Sequence, residues 1–239
     1  MEHSRRKRRS TEDIEKAILE AAAGFIEEKG FGELTVTGII QKASIEPVQF
    51  YRRYGDLNGF IDEYVKRFDY WFSDVAKDSD SEGDEKERYE KIVNGLLDAL
   101  CDNRIMQQLL RWELSGNNET VRRTARLREF HTLPLCSRYA KVFEGSDLDI
   151  VAVAAMMIGG IYYLVLHKDL SDFGGIDLNK EAGRERIRNA VRQLSGLLFS
   201  AEGISCEAVG IARQMKKDNV PIDKIGKYTR LPQELIESL

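Results

Sequence analysis

Residues Leu34–Phe60 read LTVTGIIQKASIEPVQFYRRYGDLNGF, and the fold turns on where this stretch breaks. Thr35 is suited to cap a helix, because its hydroxyl accepts from a first-turn backbone N–H. Val36, Ile39 and Ile40 then give the helix, to Ala43, an apolar face. Ser44-Ile45-Glu46 interrupts it. Pro47 opens a second short helix, since its ring presets the backbone and its missing N–H costs nothing at that position. Gly55 ends that helix after Tyr54. Two short helices across a tight break predict a helix-turn-helix, whose second member is narrow enough to enter a major groove about 12 Å wide.

Upstream, Ile14, Ala17, Ile18, Ala21, Ala22, Phe25 and Ile26 recur at helical spacing, predicting a helix over 11–29. Ser10 caps its start with Asp13 three residues on, and Gly30 stops it. Downstream, Asp56 caps a fourth helix whose stripe runs from Leu57 through Phe60, Tyr64 and Phe68 to Val75, ending near Ala76. The polar stretch 77–87, KDSDSEGDEKE, predicts a loop or hinge. Further helices are expected over Tyr89–Leu100 and Ile105–Trp112, then over Glu119–Phe143 with a bend at Pro134. Ile150–Leu166 follows, then a loop over Ser171–Asn179, a helix over Glu181–Ala201, and small helices within 206–217 and 219–239. No strand pattern survives. The reading is all-α: an N-terminal three-helix helix-turn-helix module joined to a helical ligand-binding and dimerisation domain. Its divisions are 1–55, 56–202 and a small helical extension, 203–239.

The 239 residues carry 36 Lys and Arg against 40 Asp and Glu, a net charge of −4. That excludes a basic coat over the whole surface but not a local patch. Residues 5–9, Arg5, Arg6, Lys7, Arg8 and Arg9, form a basic arm suited to lie along phosphates or a groove. Cys101, Cys136 and Cys206 form no CxxC, and the three histidines no ligand pair, so neither a metal site nor a disulfide framework is expected. There is no phosphate-cradling glycine loop, GxSxG or HExxH. Neither an enzyme nor a cofactor is expected. The N-terminal MEHSRRKRRS has no apolar signal region, predicting a cytoplasmic protein. The apolar run Ile150–Leu166 falls just short of a membrane span and carries Gly159 and Gly160 at its middle, which reads as a fully buried helix and no membrane.

Thr35, Ile39, Ala43-Ser44-Ile45 and Phe50-Tyr51-Arg52-Arg53-Tyr54, with the Lys29-Gly30-Phe31 exit before them, resemble the DNA-binding module of bacterial TetR-family transcriptional regulators. The likeness in residues covers about 10–72, and the helical layout to about 201. Ile40 stands where the family commonly has Ala, Ser44 where it has Gly, and Leu57 where it has Lys. The resemblance implies a ligand-responsive repressor that reads double-stranded DNA as a homodimer and releases it on binding a small-molecule effector. Gln49 is the candidate for base-edge hydrogen bonding and Val48 for a thymine methyl, with Arg52 reaching a guanine or phosphate. Pro47 sets the start of that helix; Thr35, Thr37 and, by resemblance, Tyr51 contact phosphates. Phe50 and Tyr54 are expected in the module's core.

A single helix-turn-helix covers too few bases for a tight site, so pairing about a two-fold axis is expected. Ala152, Ala155 and Gly159 form a small-residue strip, and Ile187, Val191, Leu194 and Leu198 a second stripe. By resemblance these two helices make a four-helix dimer seam. Met106, Trp112, His131, Tyr139 and Tyr162 are candidates for an effector pocket. At the end of the chain, Ala212-Arg213-Gln214-Met215-Lys216, Ile225, Thr229-Arg230-Leu231 and Ile236–Leu239 resemble a segment that closes transposase-associated and nuclease-like proteins, with Arg230 where Gly is usual. A second small helix-turn-helix, a docking piece, a lid and an appended surface element all remain open for it. The competing reading of the whole is a helical adaptor that binds proteins only, without DNA.

Overall fold

The computed structural model describes residues 9–78, 84–200 and 206–239. Fourteen α-helices lie among these residues, with no strand beyond a lone Phe173–Ile176 bridge. They fall into two compact units, one drawn from Met1–Val75 and Leu96–His131, the other from Ala76–Gly95 and Thr132–Leu239.

The first unit starts with α1 (Thr11–Lys29), α2 (Val36–Ala43), α3 (Pro47–Tyr54) and α4 (Leu57–Val65). The cap residues read from the sequence act as such. Ser10 Oγ accepts from Asp13 N while Asp13 accepts from Ser10 N, both at 3.0 Å. Thr35 Oγ1 accepts from Gly38 N at 3.1 Å, and Asp56 Oδ1 from Gly59 N at 2.7 Å. α4 does not continue to Ala76 as one helix. It tightens into a 3-10 turn at Lys66–Phe68, and α5 (Trp71–Asp78) begins afresh after Tyr70. The apolar stripe passes through this break without a Gly or Pro to mark it. Residues 79–83 of the expected 77–87 loop lie outside the described residues.

α6 (Glu85–Asp102) starts four residues before the apolar pattern shows it, and its last turns belong to the first unit. α7 (Arg104–Ser115) and α8 (Glu119–Phe130) complete that unit. Arg128 of α8 holds Glu113 of α7 with both guanidinium nitrogens, one bond at 2.9 Å, and both side chains are under a tenth exposed. An aromatic row runs through the unit: Phe50 meets Tyr54 at 5.2 Å and Phe60 at 5.6 Å, and Phe60 meets Tyr64 at 5.6 Å. Such pairs stabilise beyond the area they bury.

The single bent helix expected over Glu119–Phe143 is two separate helices, α8 ending at Phe130 in the first unit and α9 (Leu133–Val142) in the second. Pro134 sits in the first turn of α9, where its ring is tolerated, so the chain restarts a helix rather than kinking one. α10 (Ile150–His167) and α11 (Glu181–Ser200) follow. Tyr89, Tyr139 and Phe143 all pack their rings on Phe199 of α11, at 5.7, 6.3 and 5.0 Å. The expectation that α10 is buried on all faces fails. Of its 18 residues only Ile150, Ile161 and Val165 are buried. Its mean hydropathy of 2.0 makes it the one helix among the described residues long and apolar enough to cross a membrane. The chain ends in α12 (Cys206–Lys217), α13 (Ile222–Thr229) and α14 (Gln233–Ser238) around a core of Ala212, Ile225, Leu231 and Ile236.

Candidate nucleic-acid interface

The α2–turn–α3 segment is held from beneath and left open above. Gly38 lets α1 and α2 meet closely: a Cβ there would lie 2.9 Å from the Phe25 ring. Gly59 does the same where α4 passes the end of α3, since a Cβ would sit 2.2 Å from the Tyr54 carbonyl oxygen. At the turn, Ser44 adopts the left-handed conformation with φ 51° and ψ 53°, although it is not glycine. Arg9 Nη1 donates to the carbonyls of Ala43 at 2.9 Å and Ser44 at 3.4 Å, which satisfies the last carbonyls of α2. Arg9, expected on DNA with the rest of the arm, is thus a helix cap in this structure. Arg5, Arg6, Lys7 and Arg8 lie outside the described residues.

α3 divides cleanly between its two faces. Phe50 is fully buried, and Tyr54 half-buried. Burial, with Glu15 nearby, pushes the Tyr54 hydroxyl pKa up. Arg53 turns back, donating to Glu15 at 3.1 Å and to the Thr11 carbonyl, which ties α3 to α1. Val48 is 68% and Tyr51 50% exposed, and Pro47 and Arg52 are exposed beside them. Thr37 is also exposed. Thr35 is exposed too; its oxygen serves the cap of α2 while its O–H remains to donate outward. Gln49 is half-buried, and its Oε1 accepts the Glu46 N–H at 2.8 Å. That bond stitches the start of α3, a role the sequence reading gave no hint of. The outward set, Pro47, Val48, Tyr51 and Arg52, stands on one short helix, with the Gln49 amide between.

The five expected effector residues are not brought together in one unit. Met106, Trp112 and His131 belong to the first, Tyr139 and Tyr162 to the second. Met106 is fully buried; Trp112 stacks on Phe31 at 5.2 Å; His131 lies on Tyr70 at 4.1 Å. Tyr139 is buried edge-on against Tyr89 at 5.1 Å. An open groove of about 530 Å³ in the first unit, floored by Leu19, Ala23, Tyr64, Phe68 and Ile105, contains none of them.

The expected pairing residues fare unevenly. Ala152, Ala155 and Gly159 are exposed on α10, and Met156 (78% exposed) and Tyr163 (51%) share their face. On α11, Val191 is buried inside the unit and Ile187 and Leu198 are half-buried; Leu194 is exposed together with Ala190 and Leu197. The open stripe of α11 is therefore rotated from the one read in the sequence. No group of three His, Cys, Asp or Glu suited to a metal occurs among the described residues.

No family model matches the chain. None of the curated proteins matches it either. Solved structures do. A TetR-family transcription regulator from Marinobacter aquaeolei VT8 is 20% identical with a TM-score of 0.55, covering 76% of this chain and 95% of its own. The transcriptional regulator FadR from Bacillus subtilis, solved in complex with stearoyl-CoA, is 16% identical with a TM-score of 0.58, covering 80% and 99%. A bacterial regulatory protein in the TetR family from Rhodococcus RHA1 is 17% identical with a TM-score of 0.58, covering 81% and 97%. The fold is that of TetR-family transcriptional regulators, all-α with an N-terminal helix-turn-helix. These relatives are covered almost whole, so this chain carries residues that they lack.

Proposed function

We propose that the chain is a sequence-specific DNA-binding transcriptional regulator of the cytoplasm, a homodimer that represses by occupying an operator and leaves it when a small-molecule effector binds. One observation carries the reading. α3 buries Phe50 and presents Val48, Tyr51 and Arg52 outward from a rigid, doubly capped turn, within a fold shared with TetR-family regulators. In this role Gln49, Val48 and Arg52 face base edges, while Thr35, Thr37, Tyr51 and the arm Arg5–Arg8 take phosphates. Residues 1–55 hold ten basic and nine acidic residues, so affinity leans on the arm rather than on the module's overall charge.

Pairing follows from α10 and α11. A helix of mean hydropathy 2.0 with its Ala152–Ala155–Met156–Gly159 face in water would be costly for a chain on its own, and small residues let a second copy approach closely. A two-fold pair sets its reading helices about 34 Å apart, one turn of duplex. The effector acts by population: it binds better to a dimer whose two α3 helices are wrongly spaced, and so drains the operator-bound state. FadR, which shares the fold, was solved with stearoyl-CoA; an apolar or amphipathic effector is the reading we adopt. Residues 1–55, 56–202 and 203–239 divide as reading module, sensing and pairing domain, and extension.

The test is recovery of genomic fragments bound by the protein, followed by fluorescence polarisation on the enriched duplex. A palindromic site with half-sites about one turn apart, bound at least a hundredfold tighter than a mixed-sequence duplex, is the expected result. Equal binding to both duplexes, or a monomer by sedimentation, would overturn the reading.

A further inference from the structure

α13 and the start of α14, a helix of six residues where α3 has eight, repeat the positions of α2 and α3 from the first residue of α13 to the fourth of α14. α2 and α13 are both eight residues long. Ile39 and Ile225 fall at their fourth positions and are both fully buried. Ala43 and Thr229 close them, both buried. The next residue is left-handed in each, Ser44 at φ 51° and Arg230 at φ 58°. Only three non-glycine residues among those described have positive φ, and these are two of them. Two residues after the left-handed one stands an extended N-cap, Glu46 or Pro232, and the next helix follows at once. Phe50 and Ile236, fourth in those helices, are both fully buried. Thr229 Oγ1 bonds the Ile225 carbonyl at 2.8 Å and accepts from Leu231 N at 3.3 Å, fixing the turn from inside. The core of this segment takes its members from residues 208–239 alone.

The outward chemistry differs. Where α3 shows Val48 and Tyr51, α14 shows the exposed carboxylates Glu234 and Glu237. These repel phosphate and bar α14 from a groove. α13 and the turn instead expose Lys224, Lys227 and Arg230, with Tyr228 72% exposed between them; Asp223 is the one acid on that helix. Lys216 is spent on capping α14, donating to the carbonyls of Ile236 at 3.0 Å and Glu237 at 2.6 Å. The segment's larger apolar groups are mostly turned inward, Ile211 at 47% exposure and the Tyr228 ring being the exceptions, so little remains outside for a protein partner.

We propose that residues 206–239 form a second helix-turn-helix that grips duplex phosphates through Lys224, Lys227, Tyr228 and Arg230 without reading sequence. It raises affinity for every duplex alike and leaves discrimination to α3. This rests on the DNA-binding reading above, and the experiment separates the two. The full-length protein and its Lys224→Gln/Lys227→Gln/Arg230→Gln variant are titrated at several salt concentrations with a mixed-sequence 30-base-pair duplex and with the enriched operator. Each cation that neutralises a phosphate contributes about 0.9 to the logarithmic salt slope, so the variant's slope should fall by about three, with at least a tenfold loss on both duplexes and an unchanged ratio between them. An unchanged slope with operator preference intact overturns this inference alone. A lowered slope in a protein with no preferred duplex upholds it and overturns the regulator reading. No binding to either duplex overturns both. All three substitutions are at exposed positions; should the triple variant lose its melting transition, Lys227→Gln alone, with a slope reduced by about one, decides the matter.

Discussion

α3 and α10 both leave a face uncovered by their own chain, and the two faces are opposites. On α3 the open residues are few, polar-edged and separate: a proline, a valine, a tyrosine and an arginine over a buried Phe50. On α10 they are contiguous and small or apolar, Ala152, Ala155, Met156, Gly159 and Tyr163. On the proposed reading each face meets a partner, and the chemistry of the exposed atoms separates the two. A short helix with single donors and a firm base suits the edges of bases. A smooth apolar face suits its own copy, because two such faces bury one another without leaving a donor unsatisfied.

The largest effect should come from beneath α3. Phe50→Ala removes the ring that meets Tyr54 and Phe60 and should cost about 3–5 kcal/mol of stability in a urea titration. Tyr51→Phe, one residue on, should change stability by less than about 0.5 kcal/mol. Equal effects would erase the inside–outside division of the helix. Next is Met156→Arg on α10. A charge in the pairing face should halve the sedimenting mass and weaken operator binding by roughly a hundredfold, about 2.7 kcal/mol, since two half-sites no longer share one particle. An unaltered mass would remove α10 from the comparison. Gln49→Ala should cost about 1–3 kcal/mol on the operator and nothing on a mixed-sequence duplex.

The smallest effect sits away from both faces. Arg138 holds Glu85 with two bonds, at 3.0 and 2.8 Å, and keeps its carboxyl below the usual glutamate range. A depressed carboxyl stabilises the fold above its ordinary pKa and loses that contribution as pH falls through the folded value. Glu85→Gln should therefore lower stability by under about 1 kcal/mol at pH 7, because both side chains are about a third exposed. The difference from wild type should vanish toward pH 3.

Helix starts were legible because their causes are local. Ser10, Thr35 and Asp56 cap with their own side chains, and Pro47 opens α3 as its ring dictates. What escaped the sequence was set by distant atoms. The break after Val65 leaves the apolar stripe in phase, so periodicity reads straight through it. The stripe of α11 was misjudged by a rotation, because Val191 and Leu194 look alike until the neighbours of each are known. The exposure of α10 could not be read from an apolar run, which looks the same whether its own chain or a second one covers it. Pro47, Val48, Tyr51 and Arg52 are exposed on α3, while Arg9 and Arg53 acquire structural ties that only the folded chain reveals.

The bond from the Glu46 N–H to Gln49 Oε1 has a consequence for the operator's letters. Adenine is matched by an amide that offers both its oxygen and its nitrogen, and here one of the oxygen's two lone pairs is engaged in fastening the helix. On the proposed DNA-binding reading, Gln49 therefore offers its amino group more freely than its oxygen, which suits guanine O6 and N7 or thymine O4 better than the two-bond match to adenine. Unless the helix surrenders its first stitch, the half-site should favour an acceptor-rich edge at the position this residue meets.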